Sequence, residues 1–182
     1  MKNDRTRKHL ITALMAAVIM VLSPFSITIL ISPVPISLST LAIYLASYIL
    51  GAKYASISTM IYVLLGIVGV PVFTGFTGGV AKILGPTGGY IISYVFLAII
   101  SGSIIEKNYD NIVICFVGMF VGTIVLYIVG TLWLAFTTNL TFKAALFAGV
   151  IPFIPGDIVK MIVALIVGNK VRTLLLRVNY LQ

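Results

Sequence analysis

The chain has 182 residues and a formal net charge of +8, with 60% apolar and only 9% charged positions and a mean hydropathy of +1.19. An ordinary soluble domain carries about 25% charged residues, so this composition excludes a water-soluble globule and implies an integral membrane protein. The basic excess is scattered over short connecting stretches and is not gathered with aromatic residues on one surface, which argues against nucleic acid as a partner.

Residues 1–9 form a basic tail holding Lys2, Arg5, Arg7 and Lys8. Six apolar stretches follow, at 10–32, 36–50, 54–72, 87–105, 112–136 and 155–176. A run of about 18 or more apolar residues crosses roughly 30 Å of hydrocarbon as a helix. The pattern therefore predicts a single-domain, all-α bundle of six transmembrane helices. The first stretch contains Pro24 and could pass for a secretory signal, but no small-x-small cleavage site follows it, so it is read as a retained span. Within it, Ala13 and Ala17 stand one small-x-x-x-small step apart, a spacing that lets helices approach closely. The second stretch is only about 22 Å long as a helix. Ser37, Ser39, Thr40, Tyr44, Ser47 and Tyr48 dilute it, so it is expected inside the bundle.

Basic residues that flank spans are held preferentially on the cytoplasmic side. An inward N-terminus places Lys53, Lys107, Lys170, Arg172 and Arg177 inside with the tail, and leaves only Lys82, Lys143 and Lys160 on the outer half. A multi-pass protein of the cell membrane with both termini cytoplasmic is expected.

Between the third and fourth spans runs PVFTGFTGGVAKILGPTGGY, with glycines at 75, 78, 79, 85, 88 and 89. A flexible connector or a helix-packing seam would explain any two of them, but six suggest an outward loop whose backbone can close on a small solute. Pro86 and Thr87 suit the start of the fourth helix. In the fifth span Gly118 and Gly122 predict internal packing, Cys115 a buried small residue, and Trp133 an interfacial anchor.

The last span opens as PFIPGDIVKMIVALIVGNKVR. Asp157 and Lys160 share one helical face just after a Pro-Gly break. Charges at this depth are costly and usually mark a site. Two readings are open: Asp157 caps the helix and neutralises Lys160, or both line a water-accessible pocket and bind a ligand. Enzymatic readings are poorly supplied. The chain has no G-x-x-x-x-G-K-[ST] run, its one histidine is His9 in the tail, and its four carboxylates offer no pair at one depth. No metal site or cofactor is expected.

Taken in order, ISPVPISLSTLAIYLA, LLGIVGVPVFTGFTGGVAKILGPTGGY and GVIPFIPGDIVKMIVA resemble the BioY family, the biotin-capturing S subunits of energy-coupling-factor transporters. The resemblance implies a non-enzymatic, six-helix subunit that binds biotin from outside and works with a transmembrane coupling subunit and two ATPases. It further implies that the loop over Phe73, Thr74, Gly75, Gly78 and Gly79 closes on the vitamin, that Asp157 and Lys160 contact it, and that Ala13 and Ala17 dock the coupling subunit. The ureido ring suits a carboxylate and an ammonium, and Phe73, Tyr90 or Tyr44 would wall the ring carbons and sulfur. The other readings are a stand-alone facilitator, an S subunit for another vitamin, or a non-transport interaction protein whose charge pair only packs helices.

Overall fold

The computed structural model describes residues 2–28 and 32–178, with side chains from residue 6 onward. Its elements are α1 (Lys2–Leu22), β1 (Ser26–Ile27), β2 (Ile36–Ser37), α2 (Ser39–Val68), α3 (Val80–Leu84), α4 (Gly88–Ile105), α5 (Ile112–Thr138), α6 (Phe142–Gly149) and α7 (Ile154–Arg177).

The first helix is shorter than its apolar stretch. It ends at Leu22 because Pro24 cannot continue the hydrogen-bond ladder and pushes Ser23 away from helical backbone. The chain then turns into β1, which pairs antiparallel with β2, Ser26 opposite Ser37 and Ile27 opposite Ile36. The 10–32 span and the all-α expectation are corrected here: residues 26–27 and 36–37 form a small ribbon, and residues 29–31 lie outside the described part.

The expected second and third spans form one helical run, α2, broken at Gly51. There φ is +70° and ψ −175°, a region open essentially to glycine alone. Beyond the break the chain doubles back, which brings Tyr62 beside Ser39, at the opposite end of the first arm. Glu106 Oε2 accepts the Ala52 amide at 2.9 Å and secures the turn. Gly51→Ala is expected to destabilise the protein by about 1–3 kcal/mol, since the new Cβ would also lie 2.5 Å from Glu106 Oε2. Thermal unfolding in detergent measures it.

Among the described residues, three helices are long and apolar enough to cross a bilayer, α2, α4 and α5. A fourth joins them if α6 and α7, bent by 46° at their junction, are counted together. The core lies between both arms of α2, α4, α5 and the inner face of α7, around Tyr44, Tyr48, Tyr62, Leu97, Met119 and Met161. At the α4–α5 seam, Gly122 faces Ser101 and Leu97, and Gly118 faces Ile104, the internal packing expected of those glycines.

Candidate functional site

Asp157 occupies the first turn of α7, just after the bend at residues 150–153 that contains Pro152 and Phe153. It is 4% exposed. A carboxylate removed from water needs partners for its oxygens, and the fold supplies three. Oδ1 accepts the Lys160 ammonium at 2.9 Å and the Thr40 hydroxyl at 3.0 Å, and Oδ2 accepts the Tyr127 hydroxyl at 2.7 Å. Lys160 also donates to Thr40 Oγ1 at 3.1 Å. Three elements thus meet at one acid: α2 through Thr40, α5 through Tyr127 and α7 through the pair itself.

Neutralisation within α7 and a bordering cavity are both present. Beside the pair lies a small cavity of about 40 Å³. Pro35, Thr40, Tyr90, Tyr94 and Tyr127 contribute to its walls. On the other side Asp157 and Tyr127 border an apolar cleft between α5 and α7, lined by Phe120, Ile124, Ile158 and Met161. A smaller cavity of about 20 Å³ lies toward the start of α4 and shares Val34, Pro35, Tyr90 and Tyr94 with the first.

Of the other residues singled out from sequence, Tyr90 lies on both cavities. Its ring packs on Gly130, and its hydroxyl donates to Gly149 O at 2.9 Å. A Cβ at Gly149 would stand 2.1 Å from that hydroxyl, so glycine there lets the tyrosine reach across from α4 to the end of α6. Thr74 lies on the second cavity. Phe73 does not line either cavity: it is wholly buried, edge-on to Tyr62 at 5.5 Å, with its ring over Gly66. Tyr44 is likewise wholly buried, bonded to Thr123, and lines neither cavity.

The loop after α2 makes a miniature bridge, Phe73 opposite Thr77, with Gly75 and Phe76 at positive φ at its tip. The Gly75 amide donates to Pro24 O at 2.9 Å, and Phe76 stacks edge-on against Phe25. Gly78 and Gly79 lead from it into α3, the Gly79 amide bonding Gly66 O at 2.7 Å. Lys82, on α3, is half-buried, and burial lowers its pKa from the ordinary lysine value. Trp133, expected as an interfacial anchor, donates to Gly85 O at 3.0 Å and ties the loop to α5.

Ala13 and Ala17 stand on the outer face of α1, both exposed, in line with Leu10, Leu14 and Val21. Thr40, Tyr127 and Tyr94 join the candidate site from the fold alone: in the sequence Thr40 is one polar residue of a short span, and Tyr127 an isolated tyrosine within the apolar fifth stretch.

Comparison with known proteins adds to this geometry. A model of the BioY family matches residues 1–177. The chain is 38% identical over 169 residues to "Biotin transporter BioY2" of Lactococcus lactis subsp. cremoris, covering 92% of this chain and 91% of that one. It is 40% identical over 146 residues to "Probable biotin transporter BioY" of Pyrococcus horikoshii, covering 80% and 85%. Among solved structures, the S-component for biotin from an ECF-type ABC transporter superposes with a TM-score of 0.88 at 32% identity, covering 95% of this chain and 94% of that one.

Proposed function

The chain belongs to the BioY family, and on that footing we propose how its site works. The protein is a membrane subunit for biotin uptake and not an enzyme. We read Asp157 and Lys160, held by Thr40 and Tyr127, as the polar floor of the biotin site, with Tyr90, Tyr94 and Pro35 as its apolar walls. The observation that carries this reading is the cavity beside the pair: a buried ion pair that only packed helices would have no need of that space.

The chemistry suits the vitamin. Biotin is a fused bicycle with an apolar body, a urea at one end and a carboxylate at the other. Small-ligand sites are largely apolar, with a few placed polar groups that fix orientation. The loop at residues 73–79, tethered to Pro24 O through Gly75, acts as the outer cover, with Thr74 its contribution to the cavity. Phe73 supports that cover from within the core, and Tyr44 braces the wall through Thr123.

We further read the chain as six crossings: α1, the two arms of α2, α4, α5 and α7. Both termini lie on the cytoplasmic side, following the basic residues. With no phosphate-cradling loop in its sequence, the subunit draws its energy from a coupling subunit and ATPases, docked on the Ala13–Ala17 face.

Equilibrium binding to the detergent-purified protein tests the substrate. Saturable biotin binding at submicromolar concentration is expected, and absence of binding up to micromolar concentration overturns the assignment.

A further inference from the structure

We infer that the furrow along α5, between that helix and α6 and α7, is a phospholipid site: one acyl chain lies in it, and Lys143 receives the headgroup phosphate. Tyr127 and Asp157 divide the furrow from the cavity assigned to biotin, and a lipid here requires nothing of that assignment.

Two clefts make up the furrow and meet at Ile124 and Tyr127. One, of about 200 Å³, runs between α5 and α7 past Phe120, Ile158 and Met161. The other, of about 150 Å³, lies nearer the C-terminal end of α5, between it and α6, past Ile128, Phe142 and Leu146. Because α6 and α7 are bent by 46° at their junction, they cannot both run parallel to α5. From Phe120 to Thr131 the furrow follows about 16 Å of helix, about half of a roughly 30 Å hydrocarbon core and so the depth of one leaflet.

The walls offer little to a polar guest. The Thr123 hydroxyl donates to Met119 O, the Tyr127 hydroxyl donates to Asp157, and Thr131 pairs with Tyr90. Asp157 is itself engaged by Lys160 and Thr40. Phe120, Ile124, Ile128 and Phe142 are 42% to 55% exposed, on helices apolar enough to cross a bilayer. Lipid tails are as apolar as these side chains, and an unfilled trough forfeits the dispersion contacts a chain supplies. Charge selects a phospholipid over a second protein helix. Lys143 stands on α6 three residues before Leu146 and seven before Val150, both furrow residues, and so shares their face. It is exposed, and among the described residues it forms no ion pair. An ammonium at the mouth of an apolar trough complements a phosphate whose chain descends into it.

Native mass spectrometry of the detergent-purified full chain tests the site, with dioleoyl phosphatidylglycerol and dioleoyl phosphatidylcholine as probes that share their chains and differ in net charge. Wild type is expected to retain one phosphatidylglycerol, about fivefold more tightly than phosphatidylcholine, the gain one basic residue supplies beside an anionic lipid. Lys143→Gln is expected to bring the two lipids within twofold of each other. Ile124→Trp, whose indole fills the junction of the two clefts, is expected to lose both. Both positions face outward, so each variant is expected to keep the wild-type melting temperature in lipid-free detergent. Failure of wild type to retain either lipid, equal retention of the two, or a preference that survives Lys143→Gln overturns the site. Lipid still held by Ile124→Trp removes it from the furrow. A second copy of the chain, held by wild type and released by Ile124→Trp, overturns it in favour of a self-interface.

Discussion

Asp157→Leu is expected to abolish biotin binding and to destabilise the protein by about 3–5 kcal/mol, because it leaves the Lys160 ammonium buried without its counter-charge. The same change strips Thr40 and Tyr127 of their acceptor. Stability alone cannot distinguish a binding site from a packing device, so the informative protein is the double variant Asp157→Leu with Lys160→Met. Removing both charges and filling their volume with apolar atoms relieves the penalty, and replacement of a whole buried pair is often neutral or stabilising. The double variant is expected to recover most of the lost melting temperature and still fail to bind biotin. Retained binding in that variant would show that the pair serves helix packing only, and thermal unfolding with equilibrium binding on the same preparations reads both quantities.

Ala17→Trp is expected to reduce biotin uptake to background in cells that supply the coupling subunit and ATPases, while the purified protein binds biotin within twofold of wild type. Leu10 and Leu14 are 62% and 61% exposed and Val21 is 64% exposed on the same face, so the new indole projects outward and disturbs no internal contact. A small-residue face lets another helix approach closely, and a tryptophan in its middle holds that helix off. Radiolabelled uptake beside binding in detergent separates the two effects. Wild-type uptake by the variant would remove this face from the docking assignment.

How much of this was legible in the sequence depended on whether a residue's role was local or tertiary. Asp157 and Lys160 stood out because ionised groups within an apolar stretch are costly and three-residue spacing puts them on one helical face. Thr40 and Tyr127 complete the same constellation from 117 and 30 residues away, and no local pattern announces such a meeting. Phe73 is expected as a wall of the site because the ring carbons and sulfur of the vitamin want aromatic neighbours and the family resemblance places it in the covering loop. Its ring instead lies inward over Gly66, where a Cβ would stand 2.1 Å from it, and the space left by a missing side chain has no signature in hydropathy. Pro24 was visible within the first stretch, yet hydropathy carried the span past it to residue 32. The backbone rule it imposes on Ser23 decided the outcome, and the helix stopped at Leu22. The reversal between the second and third stretches follows from the gap at 51–53 with Lys53 on the inner side, but only Gly51's backbone angles place it within one helical run.

The attachment of the loop to α1 bears on how the subunit responds to load. A helix of this length is a stiff rod of about 30 Å, and Pro24, just beyond its end, leashes the loop tip through the Gly75 amide while Phe25 clasps Phe76. The face carrying Ala13 and Ala17 lies on that same rod. A partner that gripped this face and tilted the helix would therefore pull on the loop at its far end, without any signal having to pass through the tightly packed interior.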